Sequence, residues 1–439
     1  MDERSPESRE YIPRSVRRKK QQQRRIRRMV TIGVIALLVI AILAVVIKFA
    51  VSKGGKKKGG DEPKTKAPVS EETTVDPNAP VATAKVLSTG DVLIHKLLLE
   101  ASADGSGYSF DKHFRAVKDE ISSADFAVAN LEVTLGEGNY QCYPTFKSPD
   151  SVVDALKNAG FDFLVSANNH CYDTAFDGLK RTAKVVRDKG LGQTGTKANL
   201  DQKDYEIVDV NGIKIGIINY AEETTCAAGR KALNGILMST EANDYVNSFN
   251  AARMDDFYKD IEGNIAAMKQ DGAEAIMLYI HWGVEYALTQ NSSQSTIAQK
   301  MCDMGVDVII GGHPHVIQPA AVLTSTKDPS HKTFCVYSVG NLLSNQRREF
   351  MGSACPTGHS EDAIFVYTTF TKYGDGRVEL TGVDYSPLWI NRYAEGGSYV
   401  YEITNVSDTS KITKNADAAA ASLERTKKLV DAGFKSFDS

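Results

Sequence analysis

From residue 84 onward, short apolar runs alternate with amphipathic stretches, and this alternation restricts the chain to α/β architectures before any single residue is weighed. Runs 84–94, 126–131, 161–166, 275–280 and 306–310 are strand-like, each being short and rich in β-branched or aromatic side chains. Stretches 110–123, 151–159, 176–189, 254–270 and 295–304 carry helical periodicity; Ser148-Pro149 opens the second and Gly190 ends the third. Asn211-Gly212 supplies the positive φ angles of a tight hairpin. Segments near 334–337, 363–370 and 377–385 have no helices between them and predict a second, antiparallel sheet. An amphipathic helix is expected at 416–432, and there is no internal repeat.

Four segments place metal-ligand side chains directly after these strands, where α/β sheets build their sites. They are Thr89-Gly90-Asp91, Asn130-Leu131-Glu132, Asn168-Asn169-His170, and the pair His281-Trp282-Gly283 with Gly311-Gly312-His313-Pro314-His315. Four of the eight histidines fall in them, a clustering that scattered core histidines would not produce. In the last segment the glycines are expected to let the backbone turn sharply, and Pro314 to fix φ between two imidazoles converging on one metal corner. Taken singly the motifs are weak: Asp91 is equally a turn cap, Asn169 a partner for loop amides, and His281 a packed core residue. In order, and each at a strand end, they form a specific signal.

The motifs at Gly90-Asp91, Asn130-Leu131-Glu132, Ala167-Asn168-Asn169-His170, His281 to Tyr286, Gly311 to His315 and Tyr337 to Asn341 together resemble the pattern of the CapA family, the poly-gamma-glutamate capsule proteins. That family is similar to the calcineurin-like metallophosphoesterases. The resemblance implies a metallophosphoesterase-like two-sheet sandwich flanked by helices over 83–393, with one or two divalent metal ions at the strand ends. It implies Asp91 as a first-metal ligand, Glu132 as a bridging carboxylate, and Asn169, His281 and His313 as second-metal ligands. His315 would return to the first metal, and His170 would act as acid or electrostatic partner of the leaving group. Trp282, Glu285, Tyr286 and Asn341 then stand at or behind the site, with Glu285 a partner that orients His281. Arg347 and Arg348 are candidate contacts to an anionic polymer, although paired loop arginines are more often just solvated.

The sequence also departs from the phosphoesterase pattern. Asp91-Val92-Leu93 replaces Asp-x-His, His95 comes two positions too late, and Glu132 stands where an Asp is usual. The first metal site is therefore expected to be weaker, differently coordinated or empty. Imidazole with carboxylate suits Mn, Fe or Zn better than Ca. Three functions stay open: a metal-dependent hydrolase or transferase acting on an anionic cell-envelope polymer; a non-catalytic assembly or export subunit that holds polymer or membrane-bound synthase subunits; and a generic metallophosphoesterase. Polymerisation driven by ATP is not expected, because no Gly-x-x-x-x-Gly-Lys loop occurs.

Charge divides the chain. Residues 1–58 hold 16 basic and 4 acidic residues, a net +12, against 36 basic and 51 acidic, a net −15, in the remainder. An acidic bulk repels phosphate backbones, so the basic run 14–28 reads as a membrane-flanking cluster and no nucleic acid is expected as partner. Positions 29–47 are 19 uncharged residues, about 28 Å of helix against about 30 Å of hydrocarbon. Secretory apolar regions run about 7–15 residues, so an uncleaved anchor in the lipid bilayer is expected. Eleven basic residues before this span and five lysines after it keep the N-terminus cytoplasmic. The expected plan is a cytoplasmic arm at 1–28, a transmembrane helix at 29–47, a disordered linker at 48–82, an extracytoplasmic domain, and a C-terminal extension at 394–439. Cys302 and Cys335 sit on apolar patterns as buried thiols, while Cys142, Cys171, Cys226 and Cys355 leave room for one or two disulfides.

Overall fold

The strand-like runs are buried on both faces, which is why they are apolar without clear alternation. The computed structural model describes residues 76–224 and 230–437; the basic arm, positions 29–47, the linker up to 75 and Cys226 lie outside the described residues. The strands of the two main sheets are β1 (Pro80–Val92), β2 (Phe126–Leu131), β3 (Phe163–Val165), β4 (Gly192–Thr194), β5 (Tyr205–Val210), β6 (Ile213–Glu222), β7 (Ser248–Phe249), β8 (Ala275–His281), β9 (Val308–Gly312), β10 (Ile317–Thr324), β11 (Lys332–Val339), β12 (Asn341–Leu343), β13 (Asp362–Tyr373), β14 (Val378–Glu395) and β15 (Ser398–Asn405). The helices used below are α1 (Ser151–Ala159), α2 (Ala175–Asp188), α3 (Met254–Gln270), α4 (Ser292–Asp303) and α5 (Ala416–Lys435).

The first sheet runs β15-β14-β13-β1-β2-β3-β4 with β12 beside β1; the second runs β7-β6-β8-β9-β11-β10 with β5 beside β6. Strands β1 to β4 are mutually parallel, as are β6, β8, β9 and β11. Alternation within the strands sorts their side chains between layers. In β6 and β8, Ile213, Ile215, Ile217, Ala275, Met277 and Tyr279 meet Val86, Val128, Phe163 and Ile364 of the first sheet in one core. Their neighbours Ile218, Tyr220, Ile276, Leu278 and Ile280 point the other way and pack with Phe257, Ile261 and Ile265 of α3 and Ile297 and Met301 of α4. Val152, Val153 and Leu156 of α1 cover the outer face of the first sheet. The product is a mixed α/β sandwich with helices outside both sheets. Local chemistry sets the helix ends: Asn291 and Gln294 cap α4 reciprocally, at 2.8 and 3.0 Å, and Gly160 takes φ 108° after α1.

Four expectations are corrected. The segment 110–123 is two short helices, Asp111–Phe114 and Lys118–Ser122, broken where Arg115 turns out to Glu395 and Glu402. No separate antiparallel sheet forms from the late strands: β11 joins the second sheet parallel to β9, while β13 and β14 extend the first sheet antiparallel to β1. Absence of helices marks antiparallel neighbours but does not say which sheet receives them. The linker gives way to strand at Pro80 rather than at 83. The boundary at 393 falls inside β14, which continues into β15 and then α5. Cys142, Cys171, Cys302, Cys335 and Cys355 are free thiols. Among the described residues, no helix is long and apolar enough to cross a membrane.

Helix α5 packs on β10, β13 and β14, with Val430 and Phe434 entering the core between the sheets. Close approach requires a small residue at Gly433, where a Cβ would stand 2.0 Å from the Ala320 carbonyl oxygen. Gly433→Ala should therefore cost about 1–3 kcal/mol, the usual penalty of overpacking. Urea unfolding checks this, and an unchanged midpoint would mean the helix shifts without cost.

Candidate metal centre

The site lies at the C-terminal ends of β1, β2, β3, β8 and β9, drawn from both sheets. Asp91 is the penultimate residue of β1, Glu132 follows β2, Asn169 and His170 follow β3, His281 ends β8, and His313 and His315 follow β9. Asp91 and Glu132 are fully buried, and His281, His170 and His315 nearly so.

Around His281 Nε2 stand Asn169 Oδ1 at 2.8 Å, His313 Nδ1 at 3.1 Å and Glu132 Oε1 at 3.3 Å. One imidazole nitrogen carries at most one proton, so it can satisfy only one of these atoms. Neither Glu132 oxygen has a hydrogen-bond partner. An ionised carboxylate buried in that way is costly. Ligands bound to one ion at about 2.0–2.2 Å lie about 3.0–3.4 Å apart; His313 and Glu132 stand at that spacing from His281 Nε2, and Asn169 is slightly closer. The residues therefore fit a divalent metal ion on the grounds of donor chemistry, orphaned oxygens and spacing.

Three groups of donors lie within 4.8 Å of one another: Glu132, His281 and His313; Asp91, Glu132 and His315; and Glu285, His313 and His315. The first two share Glu132, whose Oε1 lies 3.3 Å from His281 Nε2 and 3.9 Å from His315 Nε2. His315 Nδ1 is 3.2 Å from Asp91 Oδ2 and 3.1 Å from Asn341 Oδ1. Both are acceptors, which places a proton on Nδ1.

Burial keeps the imidazoles of His281 and His313 neutral. Burial pushes His313 down to about 3, with further lowering from the charge of His315. His281 lies well below its ordinary value through burial and then the charge of His313. Burial and the Asp91 charge push Glu132 well above the usual carboxylate range. Asp91 is raised by burial, but the His315 hydrogen bond, the neighbouring imidazoles and the Asn130 amide outweigh that and hold it below its usual range.

The backbone turn differs from the expected one. Gly311 and Gly312 do not take left-handed angles; His313 at φ 92° and His315 at φ 56° do. The glycines serve close approach instead, since a Cβ on Gly311 would stand 1.9 Å from the Tyr337 carbonyl oxygen and one on Gly312 2.9 Å from Asp91 Oδ1. Non-glycine residues at such angles cost about 1–3 kcal/mol and cluster at functional sites.

His170 stands close enough to His281 and His313 for its charge to depress their proton affinity. Its Nδ1 lies 2.7 Å from Asp173 Oδ2, a carboxylate also held by Asn234 Nδ2 at 3.0 Å and the Phe146 amide at 2.6 Å. Asp173 carries no motif of its own; its spacing of three residues from His170 was the available signal. Asn130 donates to Asp91 at 2.8 Å and Asn168 to Asn130 at 3.0 Å, so both motif asparagines orient ligands. His95 is part-buried, its ring edge against Phe146, and burial with the charges of His315 and His170 pushes it down to about 3.

The remaining residues separate. Asn341 orients His315, accepting from its ring and donating to its carbonyl at 3.2 Å. Tyr286, at φ 63°, has its ring centroid 6.1 Å from that of His315. Glu285 groups with His313 and His315 rather than with His281. Trp282 is fully buried behind the site; its indole N–H donates to the Tyr337 carbonyl at 2.9 Å. Arg347 is buried and Arg348 half-exposed, and both pair with the buried Glu361, at 3.3 and 2.9 Å. A cavity of about 410 Å³ opens onto Asn169, His281 and His313, walled by Glu222, Glu223 and Glu285.

The fold and site define an α/β sandwich with a buried carboxylate–imidazole cluster at its strand ends, of a chemistry suited to divalent metal. The chain belongs to the bacterial capsule synthesis protein family, PGA_cap, whose model matches residues 85–346. It is 27% identical to the capsule biosynthesis protein CapA of Bacillus anthracis over 58% of this chain and 59% of that protein. It is 26% identical to the PGA biosynthesis protein CapA of Bacillus subtilis, over 62% of this chain and 65% of that one. The chain thus spans less than two thirds of the length of either relative. A purple acid phosphatase from yellow lupin (Lupinus luteus) seeds aligns with a TM-score of 0.33 and 12% identity over 68% of this chain and 53% of its own, a likeness too distant to fix fold or chemistry.

Proposed function

We propose that this chain is a membrane-anchored, extracytoplasmic hydrolase or transferase that uses divalent metal on an anionic capsule polymer of the poly-gamma-glutamate type. The observation that carries this reading is the buried Glu132 carboxylate, which has no hydrogen-bond partner on either oxygen and belongs to two donor groups. Asp91, Glu132 and His315 would hold one ion and Glu132, Asn169, His281 and His313 a second; bound Mn, Fe or Zn supplies an acidified water and a polarised carbonyl or phosphoryl oxygen.

The chain's own groups do the rest. Asn168 and Asn130 fix Asp91, Asn341 fixes His315, and burial keeps His281 and His313 neutral so that their lone pairs are free. Asp173 accepts from His170 Nδ1, which leaves Nε2 to exchange a proton with the leaving group. The anchor at 29–47, outside the described residues, would hold this domain against the bilayer, with its N-terminus cytoplasmic.

One observation favours the second reading, an assembly subunit that touches polymer or synthase partners without cutting. Among the described residues the wall of the metal-facing cavity is acidic, with no Lys or Arg, so a polyanion is repelled wherever metal charge does not offset it. The two readings separate in a digestion of poly-gamma-glutamate by the purified full chain with Mn or Zn, followed as chain length on gels. Shortening is expected, and His170→Ala should slow it about 10²–10⁴-fold while keeping the metal. An undigested polymer would discard the hydrolase and leave the assembly subunit.

A further inference from the structure

The three donor groups of the metal centre interlock, because each pair of groups shares one residue: Glu132, His313 or His315. Glu285 belongs to the third group alone. It is the exposed member of the set, and it lines the metal-facing cavity beside His313.

The backbone fixes its place. The Trp282 amide donates to the Gly312 carbonyl at 3.1 Å and the Tyr286 amide to the Pro314 carbonyl at 2.8 Å, so the loop after β8 is laced to the turn after β9 on either side of Glu285. Tyr286 takes φ 63°, as His313 and His315 take 92° and 56°, angles that side chains disfavour. Farther back, the Tyr286 hydroxyl accepts from Gln346 Nε2 at 3.2 Å, and Gln346 Oε1 accepts at 2.9 Å from Asn341, the residue that orients His315. Among the described residues no Lys or Arg pairs with the Glu285 carboxylate; its polar neighbours are the Tyr286 phenol and the two imidazoles.

Three separate ions cannot fill three groups that share their nitrogens. With a proton on Nδ1, His315 has only Nε2 to offer, and one lone pair serves one ion. A third ion would strip His315 from the first position or His313 from the second. Glu285 therefore adds to a position already counted. The first is the one short of donors: it has Asp91, Glu132 and His315, whereas the second has Glu132, Asn169, His281 and His313. Leu93, standing where Asp-x-His would supply a ligand, belongs to the apolar core.

We infer that Glu285 is the cavity-side ligand of the first ion, an exposed carboxylate that takes the place of the histidine this chain lacks. The inference rests on the metal reading above and alters its consequence for substrate. A carboxylate bound to an ion no longer meets an incoming polymer as a free charge, so loading with metal neutralises part of the acidic wall.

Calorimetric titration of the full chain in detergent with Mn, with bound ions counted by elemental analysis, tests this. Wild type should hold two ions. Glu285→Gln should weaken one of them at least about tenfold and leave the other unchanged. His315→Ala should weaken that same ion, and adding Glu285→Gln to it should cause little further loss. Adding Glu285→Gln to His281→Ala should instead weaken both positions. Because the side chain is exposed, metal-free Glu285→Gln should melt with the wild type, so misfolding is not the cause. Affinities in Glu285→Gln equal to those of a wild type that does bind Mn would overturn the inference alone and leave the metal reading standing, whatever the variant does to polymer digestion. A wild type that binds no Mn would remove the metal reading and the inference together.

Discussion

Glu132→Gln protein, stripped of metal, should melt at the wild-type temperature or above it, and should then gain nothing from Mn or Zn. In the absence of a cation, burial and the neighbouring Asp91 charge hold the Glu132 carboxyl well above its usual range. Protonation of the group is thereby favoured, both of its oxygens lack a hydrogen-bond partner, and a glutamine of the same shape removes no hydrogen bond. With metal the comparison reverses, because an ion that binds only the folded chain stabilises it by RT ln(1 + [L]/Kd), about 2.7 kcal/mol at a hundredfold excess over Kd. Wild type should gain several degrees and the variant none, with a matching loss of bound metal by elemental analysis. A structural role for Glu132 predicts the opposite pattern: lower stability without metal and an equal gain with it. That outcome would remove the metal centre.

Which parts of this were legible in the sequence follows from how local each signal is. Asp91, Glu132, Asn169, His170, His281, His313 and His315 were all readable because each directly follows an apolar run, and strand ends converge wherever parallel strands lie side by side. The order of the strands was not readable. The chain places β1, β2 and β3 in one sheet and β8 and β9 in the other, so the meeting of Asp91 with His315 is a long-range fact. The left-handed turn at His313 and His315 was missed because Gly311-Gly312 offers the more obvious turn; what demands glycine there is the Tyr337 carbonyl, which no local pattern reveals. The burial of Arg347 was unreadable for a related reason. Loop arginines are usually solvated, and only the fold shows the buried Glu361 between it and the half-exposed Arg348.

Removing the guanidinium that ties the last helix to the core should produce a large loss of stability that grows with pH. Asp362, the first residue of β13, is fully buried. Its Oδ1 accepts from Ser422 Oγ and Arg425 Nη2, and its Oδ2 from Arg425 Nε, all at 2.7 Å. Burial raises this carboxyl to about 6 even though Arg425 and Ser422 pull it down. Its unfolded value is about 3.9, so the folded state binds the extra proton: the contribution is full below about 4 and is lost as pH rises through about 6. In Arg425→Met the opposing charge is gone, the folded value climbs further, and the extra penalty falls above pH 6, where the carboxylate would stand buried and alone. Breaking a buried pair in this way costs about 3–5 kcal/mol, so urea unfolding should show a loss of that order at pH 8 and a much smaller one at pH 4.5. Asp362→Asn in the Arg425→Met background should recover most of the loss at pH 8, since no charge then remains to be neutralised. An equal loss at both pH values would mean that Arg425 contributes through packing of its stem against the core, like Val430, Phe434 and the close contact at Gly433, rather than through its charge.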